Sequence, residues 1–202
     1  METDRSSNNR MSYTSPFLES FNLTLSPYHR ERLEKIDKAD YSFVLRKVSE
    51  EYNYALSDKY LKAGIENLKR YYAVALLDPL NRHAVSRAVD PFWHSHVLFT
   101  KEYLTFCKSV YGAFIHHQPL DMEDKPEVER VGALYNFTLA TYKHIFKTVD
   151  PEFWPEAGVI AAMPVCLHMD LREHEVEKHA LFQAQPDMGY QFKAGQAIEM
   201  KA

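Results

Sequence analysis

The chain is short of cysteine, of glycine, of positive charge and of long uncharged runs, and each shortage removes a class of protein. Two cysteines in 202 residues, Cys107 and Cys166, are too few for a disulfide framework. The polar start METDRSSNNRMSYTSP has no apolar core of the length that a secretory signal needs. Both cysteines are therefore expected as thiols in a reducing compartment, and the chain as cytoplasmic. The longest uncharged run, Ala157 to Met169 with Gly158 to Leu167 at its centre, covers 13 residues, well short of the roughly 20 of a membrane span, so no span is expected. Twenty-eight acidic residues against 24 basic ones leave a formal charge of −4, which argues against nucleic acid or an anionic lipid surface as a partner. Six glycines beside 13 Tyr and 12 Phe leave few tight hairpins and favour helices over sheets.

What is present points to an all-α fold. The length suits one domain with a full core. Residues 1–15 read as a disordered polar tail, 16–157 as a helical domain, and 158–202 as a C-terminal extension packed on or docking to it. Apolar residues at 41, 44, 48, 52 and 55 predict a helix over 40–55 with Asp40 as cap. Leu61, Ile65, Leu68, Tyr72, Ala75 and Leu76 predict a second over 58–77, stopped by Asp78-Pro79 and packed on the first. Val89-Asp90-Pro91-Phe92 reads as an Asp cap with Pro at the first helical position. The helix that follows, about 91–111, has two adjacent apolar stripes, so a compact multi-helix bundle is expected around it as the central buried helix. Gly112 is its expected C-cap. Further helices are expected over 126–147 and 169–183, with one short turn at Phe153-Trp154 between Pro151 and Pro155.

The chemistry concentrates between His83 and His117, where five of the ten histidines fall within 35 residues, beside Cys107 and Trp93. Imidazole, thiolate and carboxylate are the usual ligands of zinc and other transition metals. The candidate ligands are Asp90, His94, His96, His116 and His117, and zinc or another transition metal is the expected cofactor. Asp90 and His94 lie one turn apart on one helix face, whereas His94 and His96 point about 200° apart. A site must therefore borrow from the loops, with His83, His116 and His117 as donors. The same residues also fit a structural account, in which Asp90 caps, Trp93 and Cys107 are buried, and the histidines hydrogen-bond within an aromatic core. A second group, Cys166, His168, Asp170, His174 and His179, sits in the extension, where REHEVEK reads more simply as a solvated helix face.

At Val89-Asp90-Pro91-Phe92-Trp93-His94-Ser95-His96, followed by Thr100, Tyr103, Phe106-Cys107, Gly112 and Phe114-Ile115-His116-His117, the chain resembles the glycine-rich-domain-containing-protein-like family. The looser likeness runs from about Tyr54 to Trp154. The resemblance implies a helical, intracellular region and carries no settled activity. Members of that family often add a glycine-rich tail, and the stretch after Gly158 departs from that pattern. Two functional readings follow. In one, the chain is a module with a histidine-centred pocket for a metal, where bound metal would activate water or oxygen and Asp90 or Tyr103 would orient groups or move protons. In the other it is a non-catalytic interaction or scaffold protein, with a protein or small molecule as partner and structural histidines. Substrate, reaction and oligomeric state are not fixed by the sequence.

Overall fold

The structure, a computed structural model, describes residues 14–121, 123–156, 166–168, 171, 174–185 and 191–201, and for 166–168 the backbone alone. It is mostly helical. Among the described residues the elements run α1 (Pro16–Glu19), α2 (Pro27–Lys38), α3 (Ser42–Glu51), α4 (Asp58–Leu77), β1 (His83–Ala84), α5 (Asp90–Leu98), α6 (Thr100–Tyr111), β2 (His117–Pro119), α7 (Lys125–Ile145) and β3 (Cys166–His168). A 3-10 turn follows at Glu175–His179.

Local chemistry sets most of these boundaries. Ser15, Ser26, Ser57 and Asp124 each accept a backbone amide three residues on, from Leu18, His29, Tyr60 and Glu127, which satisfies donors that a helix start leaves without partners. Asp40 does the same one step outside α3, taking the Ser42 amide at 2.8 Å. Helices α3 and α4 pack on one another as expected. Gly112 closes α6 at φ +74°, a left-handed conformation that glycine adopts without a Cβ penalty. Along α4 every residue from Tyr71 to Leu77 is buried, and α5 and α6 meet the helix through Phe92 and Trp93 and through Phe106 and Tyr111. The bundle is therefore centred on the 90–111 stretch, as the apolar stripes require, together with the second half of α4.

Two expectations for that stretch change. Asp90 is not an N-cap: it lies inside the first turn, and α5 starts without a side-chain cap. Ser86 leads in instead, its hydroxyl taking the Val89 amide and its carbonyl the Asp90 amide. The helix over 91–111 is also broken at Phe99 (φ −85°, ψ 68°) into α5 and α6. On a straight helix residues 93 and 103 would lie roughly 15 Å apart along the axis. With the break, Trp93 Nε1 donates to the Tyr103 hydroxyl at 3.1 Å, which itself donates to the Ile115 carbonyl at 3.0 Å.

The extension is woven into the domain. Strand β3 is the middle of a three-stranded antiparallel sheet of order β1-β3-β2. His168 stands opposite both His83 and His117, and Leu167 opposite Ala84 and Gln118. The helix expected over 169–183 does not form among its described residues. The Leu171 amide donates to Pro79 O and the Leu181 amide to Leu77 O. Ten residues of α-helix would carry those amides roughly 15 Å apart, whereas both anchor within one turn at the end of α4, so the segment must double back. Residues 1–13 of the expected polar tail, and Asp170 of the extension's histidine group, lie outside the described residues.

Candidate functional site

The candidate ligands separate onto two faces of α5. His94 is exposed and its ring stacks on that of His117, at 5.2 Å between centroids and 15° between planes. The Trp93 indole meets His117 edge-on at 4.9 Å. Because Tyr103 ties Trp93 to Ile115, the short loop after Gly112 delivers His117 to this position. His117 Nε2 is buried and makes no hydrogen bond among the described residues. Burial first, then the charge that His94 would carry, holds the His117 pKa below the ordinary histidine value. His117 is thereby kept in the neutral form, which is the form that binds metal.

His96 belongs to the opposite face. It is 2% exposed, and the rings of Tyr41, Phe43, Tyr72, Tyr103 and Phe106 surround it with centroids 5.1–5.8 Å away. Its Nδ1 lies 2.7 Å from the Tyr72 hydroxyl. Burial pushes its pKa down to about 4, and burial holds the Tyr72 hydroxyl well above its usual range. The bond thus joins two neutral groups, a phenol and an imidazole. His96 is not placed to share an ion with His94, which the 200° separation on the helix already implied.

The remaining candidates disperse. His116 is exposed and packs on Phe114 at 4.9 Å. His83 is fully buried, with Nε2 3.0 Å from Asp78 Oδ2, Nδ1 3.3 Å from Thr138 Oγ1, and its ring stacked on Phe137. Both of its nitrogens are thus occupied, Nδ1 in holding β1 to α7 and Nε2 in holding it to the end of α4. Cys107 is buried and burial raises its thiol to about 11, the setting of an inert structural thiol rather than a nucleophile. Among the described residues no three His, Cys, Asp or Glu side chains are grouped so as to hold a metal. The five-residue ligand set thus contracts to the pair His94 and His117, with the backbone of His168 one strand away from His117.

Sequence reasoning missed the groove on the His96 side. It has a volume of about 650 Å³ and is lined by Lys35, Lys38, Phe43, His96, Lys101 and Phe106 among others. Helix α2 supplies two of those lysines. Its signals were Ser26-Pro27 at the start and the Glu31–Lys35 and Glu34–Lys38 pairs at four-residue spacing, a pattern that supports a helix.

No curated protein and no solved structure matches the chain. The model of one family, described as UCP032817-like, matches residues 31–155, a span that runs from α2 through Trp154 and contains both faces of α5. The chain belongs to the UCP032817-like family.

Proposed function

We propose that the chain is a metal-binding module that takes zinc or another transition metal at the face formed by His94 and His117. The observation that carries this reading is the stacked pair itself, with His117 neutral, braced by Trp93 and left with a buried Nε2 that bonds to nothing among the described residues. Two imidazoles are a partial ligand set, and zinc ordinarily takes four ligands. The strand register offers His168 as the third position, opposite His117. The stretch that resembles the glycine-rich-domain-containing-protein-like family supplies His94 and His117 and, on this reading, is the part that holds the ion.

The test is elemental analysis of untagged protein purified without chelator, beside the variants His94→Ala, His117→Ala and His168→Ala. Near-stoichiometric zinc, lost in the first two variants with far-ultraviolet circular dichroism unchanged and reduced in the third, is the expected result. His96→Phe should keep its metal, because that ring faces away. Metal-free protein that zinc does not load would sink the reading. It would leave the interaction protein as the better account, and four large apolar side chains exposed among the described residues favour that account: Tyr52, Tyr54, Leu98 and Leu104.

A further inference from the structure

Two histidines meet where the 3-10 turn Glu175–His179 of the extension lies on the N-terminal end of α2, their ring centroids 6.3 Å apart. His29 of α2 is 2% exposed, and its Nε2 stands 2.8 Å from the His179 carbonyl. A carbonyl only accepts, so His29 Nε2 carries the ring proton and donates it there. Nδ1, 3.1 Å from the Ser26 hydroxyl, is then the acceptor of the neutral ring. The His179 ring stacks on Tyr28, with 3.4 Å between centroids and 13° between planes. The Arg32 guanidinium lies 3.6 Å from the same Tyr28 centroid, and two groups that close fit only on opposite faces of one ring. Tyr28 is thus sandwiched between Arg32 and His179.

A further proton is unwelcome at this junction. Burial above all holds the His29 pKa below 6.5; the His179 carbonyl raises it, and the charges of protonated His179 and of Arg32 lower it again. A proton on Nδ1 would also point at Ser26 Oγ, which already accepts the His29 amide as the cap of α2. The carboxylates closest to the sandwich are Glu31 of α2 and Glu175 of the turn. Both are exposed and paired, with Lys35 at 2.7 Å and Lys178 at 2.9 Å. Glu175 also attracts Arg32 and His179, but through solvent, where such attraction is weak. Glu177 acts on Lys178 of the same turn. The buried Val176 and Ala180 hold the turn down. Against them, the Tyr28 hydroxyl and Arg32 Nε are buried with no hydrogen bond among the described residues, and lifting the turn would return both to water.

We infer that His29 is an acid-sensitive latch: neutral, it holds the turn Glu175–His179 on α2, and protonated beside Arg32 and His179 it lets the turn lift. The bonds of the Leu171 and Leu181 amides to Pro79 and Leu77 flank the turn and keep the extension on the domain. Release uncovers Tyr28 and the first turn of α2. The docked ring binds its proton less readily than a free one, so docking is complete above pH about 6.5 and weakens as pH falls below it. None of these residues belongs to the His94 and His117 face, so the latch stands or falls independently of the metal.

The experiment is hydrogen exchange of the full chain at about pH 7 and about pH 5, with rates scaled for the intrinsic effect of pH, since local opening is what such exchange reads. The reporters are the Glu177 and Ala180 amides, bonded within the turn, against the amides of Tyr71 to Leu77 in α4. One proton weakens docking by at most about tenfold per pH unit below 6.5, so protection of the turn should fall roughly five- to thirtyfold, beyond any fall in α4. His29→Gln can still offer an N–H to the His179 carbonyl but takes no proton, and its turn should stay protected at both pH values. His179→Phe keeps a ring on Tyr28 without the second charge and should show a shallower fall than the native chain. Circular dichroism shows which variants fold, and either one alone decides the matter. A native turn equally protected at both pH values, a fall no larger than that of α4, or the native pH dependence in a folded variant would each overturn the inference.

Discussion

Gly64 of α4 lies directly under the Phe92 ring of α5, and that contact sets how closely the helix carrying His94 and His96 can approach the bundle. A Cβ at residue 64 would stand 2.0 Å from Phe92 Cζ and 2.4 Å from both Cε atoms. Carbon atoms settle at about 3.5–4.0 Å, so the ring tip would have to retreat by roughly 1.5 Å. It has little room to do so, because Phe92 is 1% exposed and is flanked by Tyr60 and Phe153. Overpacking costs about 1–3 kcal/mol, and a clash this deep belongs at the upper end. Against that, replacing glycine in a helix interior gains about 1 kcal/mol in propensity. Gly64→Ala should therefore lose about 2 kcal/mol net, or roughly 4–8 °C in Tm for a chain of this size. Urea unfolding and thermal melts followed by circular dichroism measure both. Shortening the ring with Phe92→Leu should make the alanine much cheaper, with a coupling of about 1–2 kcal/mol in the double-mutant cycle. An unchanged or raised Tm in Gly64→Ala alone would refute the reasoning, since propensity would then outweigh a contact that the ring was free to leave.

Two further outcomes follow from the buried rings. His96 has a folded-state pKa of about 4 against 6.5, so the unfolded chain binds the extra proton; its contribution is complete above pH 6.5 and is lost as pH falls towards 4. That loss is on the order of 3 kcal/mol when fully developed. Stability measured by urea unfolding between pH about 7 and about 4.5 should fall steeply in the native sequence and less so in His96→Phe. His29 and His117, whose pKa values burial also lowers, will leave a residual slope, and an identical slope in the variant would count against this account. Tyr103→Phe removes the hydroxyl shared by Trp93 Nε1 and the Ile115 carbonyl. Leaving those buried groups unpaired should cost about 1–3 kcal/mol, and the imidazole NMR signals of His94 and His117 should shift as the loop loosens. Unaltered stability and signals would show that the hydroxyl is dispensable.

The parts of the fold that the sequence expresses are those written in local patterns. Helix α4 was legible because its period, its Ser57 cap and the Asp78-Pro79 stop agree, and Gly112 because a left-handed cap needs that residue. The break at Phe99 was not, since neither proline nor glycine marks it. What spans it is tertiary, above all the pairing of Trp93 with Tyr103. The small sheet escaped detection for the same reason: strands of two or three residues carry no alternation, and β1 and β2 pair with a segment 85 and 51 residues further on, His83 and His117 each opposite His168. At the site, helical geometry correctly separated His94 from His96. Which loop histidine would join His94 depended on how the chain leaves Gly112, and the groove over His96 needed the unassigned helix α2 for one wall.

The position of β3 sets an order of events during synthesis. β1 and β2 pair with β3 rather than with each other, so neither edge is satisfied until residue 168 has emerged from the ribosome. The helices can collect as they appear, since domains fold from the N-terminal side as they are made. Through that interval His83 and His117 stand at two open strand edges, the kind of edge that recruits a neighbouring chain. A nascent chain stalled before Cys166 would thus carry a nearly complete bundle with its seam unsewn.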